Sequence, residues 1–190
     1  MKYHKIIADL KIGDFLIVSI AYIISYTLVG GFIYPLHMIL VPGFPTAISL
    51  LFLPHGVRML TVHHFGWRSI PLLLPASYLM WFISVFGFNI SMHPFGPVAS
   101  LAACGMGYGL MTLLFRTGSF RINREWQFLI VAGAVGSFFN GISNSFLNGT
   151  AHLTTDTFYY MIGDVSGQIV LMLLGIYVLK FIRNLEGRAQ

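Results

Sequence analysis

An all-α, polytopic transmembrane bundle of about six spans is the fold class this sequence predicts, and three observations predict it. Only 9% of the 190 residues are charged while 56% are hydrophobic, against about 25% charged in a typical soluble domain. So few charges cannot cover a water-facing surface of this size. The apolar residues also run in stretches of the roughly 20 residues that a helix needs to cross a bilayer. Finally, the basic residues fall between those stretches in an alternating pattern that gives the chain a topology.

The first span is expected over Phe15–Leu36, after a short polar segment, Met1–Lys11. It is too long for the apolar region of a signal peptide and is read as retained. A Gly-Pro-rich connection follows, Val41-Pro42-Gly43-Phe44-Pro45. The second segment, Thr46–Phe65, is interrupted at Pro54-His55-Gly56, where a missing N–H and a flexible backbone favour a broken or late-starting helix. The remaining spans are expected over Ile70–Phe88, Phe95–Phe115, Trp126–Phe146 and Phe158–Phe181. The whole chain reads as one integral membrane domain, with short tails at 1–12 and 182–190.

In a six-span arrangement Lys2, Lys5, Lys11, Arg68, Arg116, Arg121, Arg124, Lys180, Arg183 and Arg188 all share one side. The loops of the other side, 37–45, 89–94 and 147–157, hold no Lys or Arg. Basic residues mark the cytoplasmic side, so both termini are expected there. The same placement accounts for the net charge of +5 through topology and anionic headgroups, and no nucleic-acid partner is expected.

Two ionisable residues fall inside the apolar stretches, Arg58 and Asp164. A charge at a span centre costs about 2.5–3.5 kcal/mol on insertion scales, so it normally faces the bundle interior and has a partner. Asn140 and Asn144, with Ser137 and Ser143 nearby, lie four residues apart on one helical face. Their depth matches that of Asp164. A small cavity open to the outside, lined by His55, Arg58, Asn140, Asn144 and Asp164, is one expectation. A buried Arg58–Asp164 ion pair that fixes how the spans dock is the other, with the asparagines as interhelical glue. Arg58 is expected to meet Asp164 directly or through water, because each otherwise lacks a compensating charge. Gly105 with Gly109, Gly133 with Ser137, and Gly163 with Gly167 have the small-xxx-small spacing of close helix contacts.

The seven histidines stand without a carboxylate or cysteine cluster at ligand spacing, and the lone Cys104 reads as a core residue. No phosphate-binding loop, nucleophile elbow or zinc-protease helix is present. Neither a metal, a cofactor nor an enzymatic activity is expected.

The stretch Leu53-Pro54-His55-Gly56-Val57-Arg58, continuing to Phe65-Gly66-Trp67-Arg68-Ser69-Ile70-Pro71, resembles the first class of bacterial membrane-associated sensor domains (MASE-type). Pro54, Gly56, Phe65, Gly66, Arg68 and Pro71 match that pattern in register. Tyr160-Met161-Ile162-Gly163-Asp164-Val165-Ser166-Gly167 is similar to its Trp-x-x-Gly-Asp-x-x-Gly signature. The two motifs cover about a fifth of the chain. Leu53 stands where the pattern has its first proline, and His55 and Arg58 replace small or apolar residues. The resemblance implies a sensory module of the bacterial inner membrane, in which Gly163-Asp164 and Pro54-His55-Gly56 belong to one site.

The leading expectation is therefore a stand-alone, sensor-like membrane domain that binds a small ligand in the outer half of the bundle and signals through a separate partner. A small-solute permease, or the substrate-binding subunit of a transporter, is the second reading. A non-catalytic structural subunit of a membrane complex is the third. The expected partners are the lipid bilayer, a membrane protein or a second copy of the chain, and a small-molecule ligand.

Overall fold

The computed structural model describes residues 11–40, 49–116, 125–147, 149 and 155–186. The expected Gly-Pro-rich connection, the start of the second segment at Thr46, the loop residues Arg121 and Arg124, most of the N-terminal tail and residues 187–190 lie outside them. Among the described residues there is no strand, and five helical runs are long and apolar enough to cross a membrane.

Helix α1, Ile12–Leu40, contains a π turn at Val29–Ile33. Pro35 follows directly, and a proline ring crowds the carbonyl four residues earlier, here Gly31; the widened turn relieves that clash. Leu16, Ile20, Ile24, Leu28 and Phe32 form an exposed apolar stripe, while Val18, Tyr22, Ser25 and Val29 face inward. The helix thus gives one side to lipid and one to the bundle.

The expected second and third spans form one helical run, Leu53–Gly87. At 35 residues it would be about 52 Å if straight, far beyond a hydrocarbon core of about 30 Å. It is not straight. Helix α2, Leu53–Phe65, ends at Gly66, whose φ of 56° and ψ of −133° suit glycine. A 3-10 turn, Gly66–Arg68, leads into α3, Ser69–Phe82, which continues as a π turn over Ile83–Gly87. Tyr26 reports the fold-back. Its ring lies 5.9 Å from that of Phe52, just before α2, and its hydroxyl 3.4 Å from Ser84 Oγ, beyond α3. The two far ends therefore meet at one residue of α1, and α2–α3 is a helical hairpin.

The proline-containing segment starts late rather than breaking within the helix. Residues 49–52 are non-helical, and Pro54 occupies the first turn of α2, where its missing N–H costs nothing.

Helices α4, Gly96–Arg116, α5, Glu125–Leu147, and α6, Thr155–Glu186, complete the bundle. Helices α4 and α5 approach at Gly107 and Gly136, where a Cβ on Gly107 would strike the Gly136 backbone. Of the anticipated small-residue pairs, Gly163 and Gly167 let backbone come close, the carbonyl of Ser49 and the backbone of Phe52, while Gly133 makes room for the Gln168 side chain. Gly109 has no neighbour within reach of a Cβ; its expected packing role is not realised in the monomer.

Helix α2 is the centre of the fold. Seven consecutive residues, Leu53 to Met59, are buried. Val57 joins a core with Val18 and Tyr22 of α1, Leu72, Leu73, Ala76 and Met80 of α3, and Leu101 of α4. Met59 and Val62 join a second core with Cys104 and Met111 of α4 and Ala132 of α5. Every side chain near the start of α2 therefore faces protein, including His55 and Arg58.

Gly167→Ala places a methyl group into the Phe52 backbone, and overpacking of this kind typically costs about 1–3 kcal/mol. Its unfolding midpoint in mild detergent should fall clearly below wild type. Gly109→Ala should leave the midpoint unchanged or slightly raised, since alanine favours helix; equal losses in both variants would refute this packing assignment.

Candidate functional site

The site begins with a backbone problem. Residues 50–52 are non-helical at membrane depth, so their polar groups need partners from the protein. The Phe52 N–H donates to the carbonyl of Gly163 at 2.8 Å. Ser166 Oγ donates to the carbonyl of Leu50 and also lies 3.1 Å from that of Gly163. Glycines at 163 and 167 let the lead come this close to α6. Once it is docked, the first turn of α2 lies beside Asp164, the residue after Gly163.

Asp164 is 2% exposed and His55 fully buried. His55 Nδ1 lies 3.4 Å from Asp164 Oδ2. The same carboxylate oxygen accepts from Ser137 Oγ at 2.6 Å and from Asn140 Nδ2 at 3.5 Å. Four elements thus converge, since Ser100 of α4 in turn donates to Asn140 Oδ1 at 2.7 Å. Asn144 does not reach the carboxylate. Its Nδ2 donates to the backbone and side-chain oxygens of Asn140, at 3.0 and 3.1 Å, and so supports that side chain.

The tautomer of His55 follows from its second nitrogen. Nε2 lies 3.1 Å from the carbonyl of Gly133, and a carbonyl only accepts, so Nε2 carries a proton. Nδ1 then lies 3.4 Å from a carboxyl oxygen, an ion-pair contact that is attractive when the ring is imidazolium. Imidazolium with carboxylate is a pair of net charge zero. Cys104 Sγ lies farther from the same nitrogen, at 3.8 Å, and a thiol is a weak donor.

This geometry corrects the expected pairing. The direct partner of Asp164 is His55 rather than Arg58, and no Arg58–Asp164 ion pair forms among the described residues. Arg58 Nη2 instead donates to the Tyr22 hydroxyl at 2.6 Å. Its guanidinium carbon sits 5.4 Å from the centre of the Tyr22 ring and 5.8 Å from that of Phe52, within cation–π range. Nor does Arg58 snorkel: it is 6% exposed. His55, Arg58, Asn140 and Asp164 are buried, and Asn144 is half-buried.

Sequence reasoning missed four participants. Ser100 carried no spacing signal of its own. Tyr22 looked like any aromatic of a lipid-facing span. Gly133 acts through its carbonyl, which no residue type reveals. Gln168 lies one helical turn after Asp164 and could have been read from that spacing; it is buried, and its Nε2 donates to the carbonyl of Leu129 at 2.7 Å. Among the described residues no group of three His, Cys, Asp or Glu could hold a metal ion.

No protein-family model, no curated protein and no solved structure matches this chain. The site must be interpreted from its own geometry.

Removing one partner of a buried pair strands the other, at a cost of about 3–5 kcal/mol. A double-mutant cycle between His55→Gln and Asp164→Asn should therefore show coupling of about 0.5–3 kcal/mol. The matching cycle between Arg58→Gln and Asp164→Asn should show distinctly less. Stability in detergent is the readout, and the reverse order would restore Arg58 as the partner.

Proposed function

We propose that this chain is a sensor-like membrane module that binds a small ligand at the buried polar cluster and signals through a separate partner protein. The carrying observation is the anatomy of α6. Its first half holds Asp164 and Gln168 in the packed interior. Its second half exposes Leu173, Leu174, Ile176, Tyr177, Val178, Leu179 and Phe181, which together cover the full circumference of the helix. One continuous helix of 32 residues thus joins the polar site to a length of apolar surface that no other described residue covers.

A ligand can bias such a module only if it binds one arrangement of the helices better than another. The lead at 49–52 is the natural element to move. It is held to α6 chiefly by hydrogen bonds around Gly163 and Ser166, next to the carboxylate. A change at Asp164 would alter this docking and, through α6, the aspect of the exposed half. Under this reading the chain lies in a bacterial inner membrane with both termini in the cytoplasm. The distribution of basic residues and the resemblance to MASE-type sensor domains support that placement.

The second reading is a proton-coupled permease. A helix that starts within the membrane beside the His55–Asp164 ion pair favours it. In liposomes with an imposed pH gradient, solute-dependent proton flux would select the permease, and its absence the sensor.

The sensor reading is tested by photo-crosslinking groups introduced at Leu174, Val178 and Phe181 in cells. A discrete protein adduct is expected whose yield changes severalfold when Asp164→Asn is added. Adducts to lipid alone, or a yield indifferent to Asp164, would contradict it.

A further inference from the structure

We propose that Arg58 anchors a binding site for an oxyanion, a carboxylate or phosphate group, at the start of α2. This deepens the sensor reading by naming its ligand class; it rests on that reading only for the consequence of binding.

The first argument is a charge count. The His55–Asp164 ion pair is neutral, and its carboxylate is engaged by Ser137 and Asn140. Arg58 adds one positive charge and has no carboxylate within ion-pair distance among the described residues; Asp164 acts on it only from farther away. A buried guanidinium without an anion is costly in a medium of low dielectric constant. The cluster is one negative charge short.

The second argument counts hydrogen bonds. Arg58 Nε is buried and has no partner. Nη2 spends one proton on Tyr22. The Tyr22 hydroxyl accepts that bond, which leaves its own proton free to donate. Arg58 and Tyr22 therefore present donors without acceptors. An oxyanion is the chemical class that accepts from all of them at once, and the planar guanidinium matches its geometry.

The third argument is position. Arg58 lies in the second turn of α2, and its guanidinium reaches back to the Phe52 ring at the helix start. The positive dipole end of a helix favours an anion at that point. The rings of Tyr22 and Phe52 lie beside the guanidinium and would pack against the apolar body of an organic anion.

The anion could be a free metabolite or the headgroup of an acidic lipid, and the test separates them. Purified protein in neutral detergent is titrated with sodium acetate and with sodium phosphate, against sodium chloride at equal ionic strength. The same protein is compared in phosphatidylcholine nanodiscs with and without phosphatidylglycerol. A saturable rise in unfolding midpoint with acetate or phosphate is expected if the source is free, and a rise only with phosphatidylglycerol if it is lipid. Tyr22→Phe should weaken half-saturation by about tenfold through loss of one donor to a charged group. Arg58→Met should abolish the response while raising the anion-free midpoint, because it removes an uncompensated charge. No response to any of the three anions, or an undiminished response in Arg58→Met, would overturn the proposal. Binding is read on the isolated protein, so a positive result with an Asp164-indifferent crosslink would retain the site and reject the signalling.

Discussion

The docking of residues 50–52 across Gly163 and Gly167 is the contact on which the rest of the structure depends. Non-helical backbone is tolerated in a membrane only where protein satisfies it. Here the last helix supplies a carbonyl at Gly163, a hydroxyl at Ser166 and two positions without side chains. Because the lead is held there, α2 begins inside the bundle rather than at its surface. Its first two turns then face protein on every side. His55 meets Asp164, and Arg58 is held beside Tyr22 and Phe52. Had the helix begun several residues earlier, an ordinary span would have carried these groups elsewhere on its circumference.

The helical membrane architecture was legible because bilayer thickness imposes long apolar runs, and five such runs are present. The boundaries of the last three helices were also legible, to within a few residues. The hairpin was harder to read. Gly66 and Arg68 marked a turn, yet it is a single 3-10 turn that leads from α2 into α3 with no loop between, so the second and third segments follow each other without a gap. The late start of α2 was foreshadowed by Pro54, whose ring suits the first turn of a helix. The π turn of α1 carried only the indirect signal of Gly30, Gly31 and Pro35.

The candidate site was half legible. Asp164, His55, Arg58 and Asn140 all lie in the buried interior, because apolar surroundings single out polar residues. Their pairing was not legible. Charge alone joined Arg58 to Asp164, while the docked lead brings a histidine closer. The backbone carbonyl of Gly133 decides the tautomer of that histidine, and sequence conveys nothing about where a carbonyl points. Asn144 illustrates the limit of helical spacing: it shares a face with Asn140, but lies one turn too far to touch the carboxylate.

An imidazolium at His55 beside the Asp164 carboxylate underlies both the neutrality of that pair and the excess charge at Arg58. Nitrogen-15 NMR of histidine-labelled protein in nanodiscs, with the His55 signals assigned by comparison with His55→Gln, tests this most directly. The account predicts a ring protonated at both Nε2 and Nδ1, with an Nδ1 signal that changes in Asp164→Asn. A neutral ring protonated only at Nδ1, with Nε2 bare, would contradict it, because the Gly133 carbonyl would then have no donor.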